Sequence, residues 1–190
     1  MNGKRLCVFC GSSLPPEPAY RAAATALGTA IGRAGVALVY GGGRIGLMGL
    51  VADAALAAGA KVIGVIPTAL HNREIAHPGL TDLVVVPDMQ ERKREMFALS
   101  DAVAVLPGGL GTLDEAFEAI TLRQLGFFQK PIVVIDTLGY WQPLQAMVTR
   151  VIESGFARPE AAQLYAVVGD AEAALSACFG PAAFTKDFRG

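Results

Sequence analysis

The chain predicts an α/β fold: a Rossmann-like, doubly wound parallel β-sheet flanked by helices, in one domain spanning residues 1–190. Three observations carry this reading. Short β-branched runs alternate with longer stretches of helical periodicity, the runs are apolar on both faces, and glycine-rich turns follow two of them. A strand apolar on both faces suits a parallel sheet covered by helices, and strict strand–helix alternation marks a succession of βαβ units.

Strands are expected at 6–10, 36–40, 62–66, 83–86, 102–106 and 132–135, with helices near 20–34, 47–58, 89–100, 112–125, 141–154 and 171–178. The first run, Leu6-Cys7-Val8-Phe9-Cys10, has no polar residue; the second ends in Gly41-Gly42-Gly43; the third stops at Pro67. The fifth breaks into Pro107-Gly108-Gly109. Alanine-rich helices supply much of the 53% apolar content. The segment 67–81 carries Pro67, His71, Asn72, Arg73, Glu74, His77 and Pro78 and reads as a mobile loop of the kind that covers a site. Residues 180–190 read as a loose tail.

A formal net charge of −1 argues against the broad electropositive surface that nucleic-acid binding needs, and so favours a small ligand. Cys7 and Cys10 have CxxC spacing but lie in or at the end of an apolar run, and Cys178 is remote, so buried thiols are expected rather than a zinc site. The start of the chain has no charged-then-apolar leader, and no apolar run reaches membrane-spanning length. A cytoplasmic protein is the expectation.

The chemistry concentrates in Leu106-Pro107-Gly108-Gly109-Leu110-Gly111-Thr112-Leu113-Asp114-Glu115. Glycines let backbone amides approach an anion, and a helix N-terminus adds partial positive charge. Gly41-Gly42-Gly43-Arg44-Ile45-Gly46 formally satisfies GxGxxG. The next strand, however, ends Val65-Ile66-Pro67, without the acid that would bind a dinucleotide's ribose. Neither turn carries the Lys-Ser/Thr of a Walker sequence.

Thr112 and Glu115 also have capping-box spacing, as do Asp88 and Glu91. At helical spacing Leu113, Ala116, Phe117 and Ile120 form one face, while Glu115, Glu118, Leu122 and Leu125 form another that a second subunit could cover. Arg92 falls inside the apolar stripe of Met89, Lys93, Met96 and Leu99. Its stem could snorkel, or its head could be buried beside a ligand phosphate or carboxylate.

These residues resemble the Lonely Guy (LOG) family, whose signature PGGxGTxxE is matched by 107–115. Val8-Phe9-Cys10-Gly11-Ser12-Ser13, Tyr40-Gly41-Gly42-Gly43, Gly46-Leu47-Met48-Gly49, 62–67, Met89 with Glu91-Arg92-Lys93, 124–126 and Lys130-Pro131 agree with it. The resemblance implies a phosphoribohydrolase that cleaves cytokinin riboside 5′-monophosphates, and in some members AMP, to free base and ribose 5-phosphate, without a cofactor. It implies Arg92 and Glu115 as the catalytic pair, and a homodimer with the site near its interface. Substrate contacts are expected from Gly11, Ser12, Gly42, Gly43, Glu74, Met89, Lys93, Pro107, Gly108, Gly109, Gly111, Thr112 and Thr121. Gln90 stands where the family usually has histidine, and Leu122 where tryptophan is common, which bears on base preference. Two rival readings are a non-catalytic nucleotide or cofactor carrier and a pyridoxal-phosphate-dependent lysine decarboxylase. The second needs a Schiff-base lysine, for which the sequence shows no motif.

Overall fold

The computed structural model describes residues 1, 3–71 and 76–181. Its elements run β1 (Arg5–Phe9), α1 (Pro18–Arg33), β2 (Ala37–Tyr40), α2 (Gly46–Ala57), β3 (Val62–Pro67), α3 (Thr68–His71), β4 (Asp82–Val86), α4 (Met89–Leu99), β5 (Ala102–Val105), α5 (Leu110–Gln124), β6 (Ile132–Ile135), α6 (Gln142–Glu153), β7 (Ala166–Val168) and α7 (Ala171–Phe179). All seven strands are parallel and form one sheet in the order β4-β3-β2-β1-β5-β6-β7. From β1 the chain steps outward to β4, then crosses back to lay β5 against the other side of β1. Strand order therefore reverses between β1 and β5, and a crevice opens beyond their carboxyl ends.

Alternate residues of the central strands feed two cores, which is why those runs are apolar throughout. Leu6 and Val8 join Leu38, Tyr40, Ala102 and Ala104 beneath α1, α2 and α7. Cys7 and Phe9 join Val39, Val103 and Val105 on the opposite face, with Phe97, Ala116 and Trp141 from the covering helices. Phe9, Phe97 and Phe128 form a chain of ring contacts on that second face, with centroids 5.6 and 5.3 Å apart. Cys7, Cys10 and Cys178 are free and buried, as the sequence implied.

Helix starts follow local chemistry. Glu17 caps α1 through the Ala19 amide, Asp88 caps α4 through the amides of Gln90 and Glu91, and Asp170 caps α7 through that of Ala173. Glu91 does not close the expected box; its carboxylate pairs instead with Arg94 on the surface.

Two expectations change. The segment 67–81 is not simply a loop: its start is the short helix α3, and its far end is pinned to the glycine turn after β2. Ala76 forms an antiparallel bridge with Gly43, the His77 amide donates to the Gly42 carbonyl, and His77 Nε2 lies 2.9 Å from Asp53 Oδ1. The second change is β7, a three-residue edge strand too short to stand out in a sequence. Most of the expected tail, 182–190, lies outside the described residues. Among the described residues no helix is long and apolar enough to cross a membrane.

Helices α1 and α2 cross at close range because α1 presents glycine there. A Cβ on Gly28 would stand 2.3 Å from the Val51 carbonyl oxygen, and one on Gly32 would stand 2.4 Å from Ala58 Cβ. Replacing Gly28 by alanine gains helix propensity of about 1 kcal/mol, but the clash costs more. Gly28→Ala is expected to lower stability by about 1–2 kcal/mol in urea denaturation, the opposite sign to an exposed helical site.

Candidate active site

Three turns meet at the switch point: Cys10-Gly11-Ser12 after β1, Gly41-Gly42-Gly43 after β2, and 107–111 after β5. Between them and α4 lies a cleft of about 260 Å³. Of the residues expected from sequence, Ser12, Gly43, Met89, Arg92, Gly109, Gly111, Thr112 and Glu115 line it. Gly11, Pro107 and Gly108 line an adjoining hollow of about 230 Å³, which shares Ser12 and Gly109 with the cleft. Gly42 turns away, its positive φ of 74° packing it toward Ile66. Lys93 and Thr121 lie outside both linings, and Glu74 falls outside the described residues. The apolar walls include Phe9, Cys10, Met48, Ile66, Leu70 and Leu110, none of which the sequence had put forward as a substrate contact.

The start of α5 corrects the capping-box expectation. The N-cap is Gly109, three residues before the expected Thr112, and no side chain caps the helix. Thr112 and Glu115 therefore sit inside the helix, both buried, and Glu115 is released from any capping duty. The first turn's amides, from Leu110 to Thr112, have no intrahelical acceptor, and Gly109 and Gly111 leave them unobstructed at the cleft. The face assignment changes too. Glu115 shares the buried face with Thr112, Ala116, Ala119, Ile120 and Arg123, whereas Phe117 is 42% exposed.

Arg92 does not snorkel. Its side chain is 8% exposed, and three of its nitrogens are held: Nε donates to the Val65 carbonyl at 3.1 Å, one terminal nitrogen to the Gly41 carbonyl at 3.2 Å, and the other to Glu115 Oε1 at 3.4 Å. This explains Gly41, for which sequence offered only the phosphate motif. A Cβ there would stand 1.8 Å from the guanidinium. The glycine after β2 makes room for an arginine from α4.

Burial pushes the Glu115 carboxyl up to about 7, and the neighbouring Arg92 charge pulls against that shift without cancelling it. Desolvation outweighs the attraction of the arginine. Lys93 points the other way from Arg92. Burial alone would lower its ammonium pKa, yet the hydrogen bonds it donates to Glu118 and Asp114, at 2.5 and 2.9 Å, leave it raised. Lys93 thus ties α4 to α5 just behind the Arg92–Glu115 pair. Among the described residues no group of three His, Cys, Asp or Glu side chains is placed to hold a metal ion.

A family model described as "Possible lysine decarboxylase" matches residues 48–178. The chain is 46% identical over 158 residues to the cytokinin riboside 5′-monophosphate phosphoribohydrolase LOG1 of Arabidopsis thaliana, covering 83% of this chain and 74% of that protein. It is 44% identical over 161 residues to LOG7 of the same plant, covering 85% and 74%. Among solved structures it resembles a molybdenum cofactor binding protein from Rippkaea orientalis, with a TM-score of 0.70 and 21% identity over 93% of this chain and 95% of that one. The molybdenum cofactor carrier protein of Chlamydomonas reinhardtii gives 0.70 and 22% over 92% and 94%. At such identity these two likenesses speak for the fold alone.

The raised acid of Glu115 has a consequence for stability. The folded carboxyl keeps its proton up to about pH 7, while an unfolded one releases it near 4.5, so folded-state stability is greatest below that range and falls as pH rises through it. Glu115→Gln is expected to match wild type in denaturant near pH 4.5 and to exceed it by roughly 2–3 kcal/mol at pH 8. Equal stability at both pH values would mean that burial does not govern this acid.

Proposed function

The chain belongs to the LOG family, and from that premise we propose that it hydrolyses the N-glycosidic bond of cytokinin riboside 5′-monophosphates, and of AMP, to free base and ribose 5-phosphate. The observation that carries this is the buried Arg92–Glu115 pair opening onto the same cleft as the amides of the α5 N-terminus. One end of the cleft suits a dianionic phosphate and the other suits a sugar carbon that gains positive charge.

In this reading the amides of 110–112 and the Thr112 hydroxyl hold the 5′-phosphate, with Ser12 and Gly43 closing the cleft around the ribose. Breaking the C1′–N bond leaves its electron pair on the base and builds oxocarbenium character at C1′. Glu115 is the general base. It takes a proton from the water whose oxygen bonds to C1′, the departing base takes a proton from solvent as it leaves, and Glu115 then returns its own proton to solvent. A carboxyl near neutrality serves this better than one at the ordinary value, because its basicity is matched to the working pH. Arg92, fixed by two strand-end carbonyls, holds Glu115 in place and balances its charge. Lys93 acts through the helices it joins rather than on the substrate. The base would lie against the apolar walls of Leu70, Met89 and Ile66.

The whole chain serves as one nucleotide-binding domain of a cytoplasmic homodimer. Support for a dimer comes from α5, whose outward side presents Leu110, Phe117 and Leu125 at 85, 42 and 62% exposure, with Thr121 in the same stripe. A second copy covering this stripe would bring Thr121 near the shared boundary. Lysine decarboxylation fits poorly. No lysine is among the residues lining the cleft, and the buried Lys93 ammonium is held by two carboxylates.

Incubation with isopentenyladenosine monophosphate, its nucleoside and AMP, followed by chromatography, is expected to release base from both monophosphates and none from the nucleoside. A carrier would return the nucleotide intact. Glu115→Ala should lower turnover by about 100-fold or more, and wild-type kcat/KM should rise with pH through about 7 as Glu115 loses its proton. Wild-type turnover in Glu115→Ala would end the proposed mechanism. Phe117→Glu combined with Leu125→Glu should convert a dimer to a less active monomer in sedimentation velocity; a fully active wild-type monomer would refute the shared interface.

A further inference from the structure

The turn 107–109 is held from outside the cleft, and the way it is held decides where its amides point. The Gly11 amide donates to the Pro107 carbonyl at 3.1 Å, and the Tyr140 hydroxyl donates to the Gly108 carbonyl. Tyr140 comes from the opposite side of the switch point, in the turn after β6, and lines the adjoining hollow rather than the cleft. Its ring is fixed edge-on by Tyr20 from α1 and Trp141, with centroids 5.9 and 5.0 Å away. Gly108 itself is wedged. A Cβ there would stand 2.1 Å from Thr112 Oγ1 and 2.8 Å from the Gly11 amide, so the turn has little room to shift sideways.

A trans peptide is planar, and its C=O and N–H point in opposite directions. With the Gly108 carbonyl drawn toward Tyr140, the Gly109 N–H of the same peptide is turned back toward the cleft, alongside the unpaired amides of the α5 N-terminus. Glycine at 108 and 109 permits this orientation but does not select it, because both residues tolerate many backbone conformations.

We propose that Tyr140 is a positioning residue for the anion-binding turn: its hydroxyl fixes the 108–109 peptide so that Gly109 joins the amides that receive the 5′-phosphate. This rests on the phosphate-site reading given above. The residue is easily missed in sequence, since it lies 28 positions beyond Thr112 in a segment with no phosphate motif.

Tyr140→Phe removes the hydroxyl and keeps the ring packed between Tyr20 and Trp141. One lost hydrogen bond should weaken ribose 5-phosphate binding by about three- to tenfold in calorimetry. KM for isopentenyladenosine monophosphate should rise in parallel while kcat stays within about twofold. Inhibition by free adenine, which has no phosphate, should remain at the wild-type level. Calorimetric stoichiometry separates a weakened site from a misfolded fraction. Unchanged ribose 5-phosphate affinity, a loss confined to kcat, or an equal loss of adenine inhibition would each overturn the proposal. If wild-type protein binds ribose 5-phosphate but releases no base, the hydrolase reading fails while the role of Tyr140 is still tested by the binding arm.

Discussion

The arrangement depends on one buried guanidinium. Arg92 reaches from α4 across the ends of β2 and β3, satisfies its nitrogens on the Gly41 and Val65 carbonyls, and meets Glu115 on α5. An isolated buried charge is costly, and a buried ion pair by itself recovers that cost poorly. Here two backbone carbonyls at the open end of a parallel sheet supply what the pair lacks. The sheet in turn provides those carbonyls only because β2 ends in a glycine that leaves space for the side chain. Fold and site thus meet at Gly41.

The same constraint sets the chemistry. Glu115 is buried on a helix face with Thr112 and Ala119, and its single cationic neighbour among the hydrogen-bonded partners described is already shared with two carbonyls. Desolvation therefore prevails over attraction, and the carboxyl sits near neutrality. A closer, exclusive salt bridge would have held the acid ionised and made it a weak base. Lys93 contributes by engaging Asp114 and Glu118, so that its charge is consumed beside the pair rather than added to it.

Sequence carried the fold well where patterns were long. Six strands were legible because each is apolar on both faces, whereas β7 is three residues of edge strand with no such pattern. Arg92 and Glu115 were legible through the combined motif, but their relation was not, since burial and hydrogen-bond competition are three-dimensional quantities. The capping box at Thr112 misled for a physical reason. Gly109 and Gly111 let the helix start earlier, through backbone alone, and a propensity-based reading places glycines outside a helix rather than at its first turn. Gly41 and Gly42 were read in one glycine turn, and Gly42 as a substrate contact, although one clears room for Arg92 and the other turns away with positive φ.

The anion turn and the catalytic pair are braced by different side chains. Arg92 and Glu115 hold each other between α4 and α5, whereas the 107–109 turn is pinned by Gly11 and by Tyr140, whose ring packs with Trp141 on that same face and touches Tyr20 of α1. Phosphate grip and sugar chemistry thus have separate hydrogen-bonding partners but share α5, which carries both the 110–112 amides and Glu115. Carriage on one helix lets a substrate's remote phosphate hold the sugar at a fixed spacing from the acid. Reversal of strand order between β1 and β5 is what lets the turns after β1, β2 and β5 face one ligand.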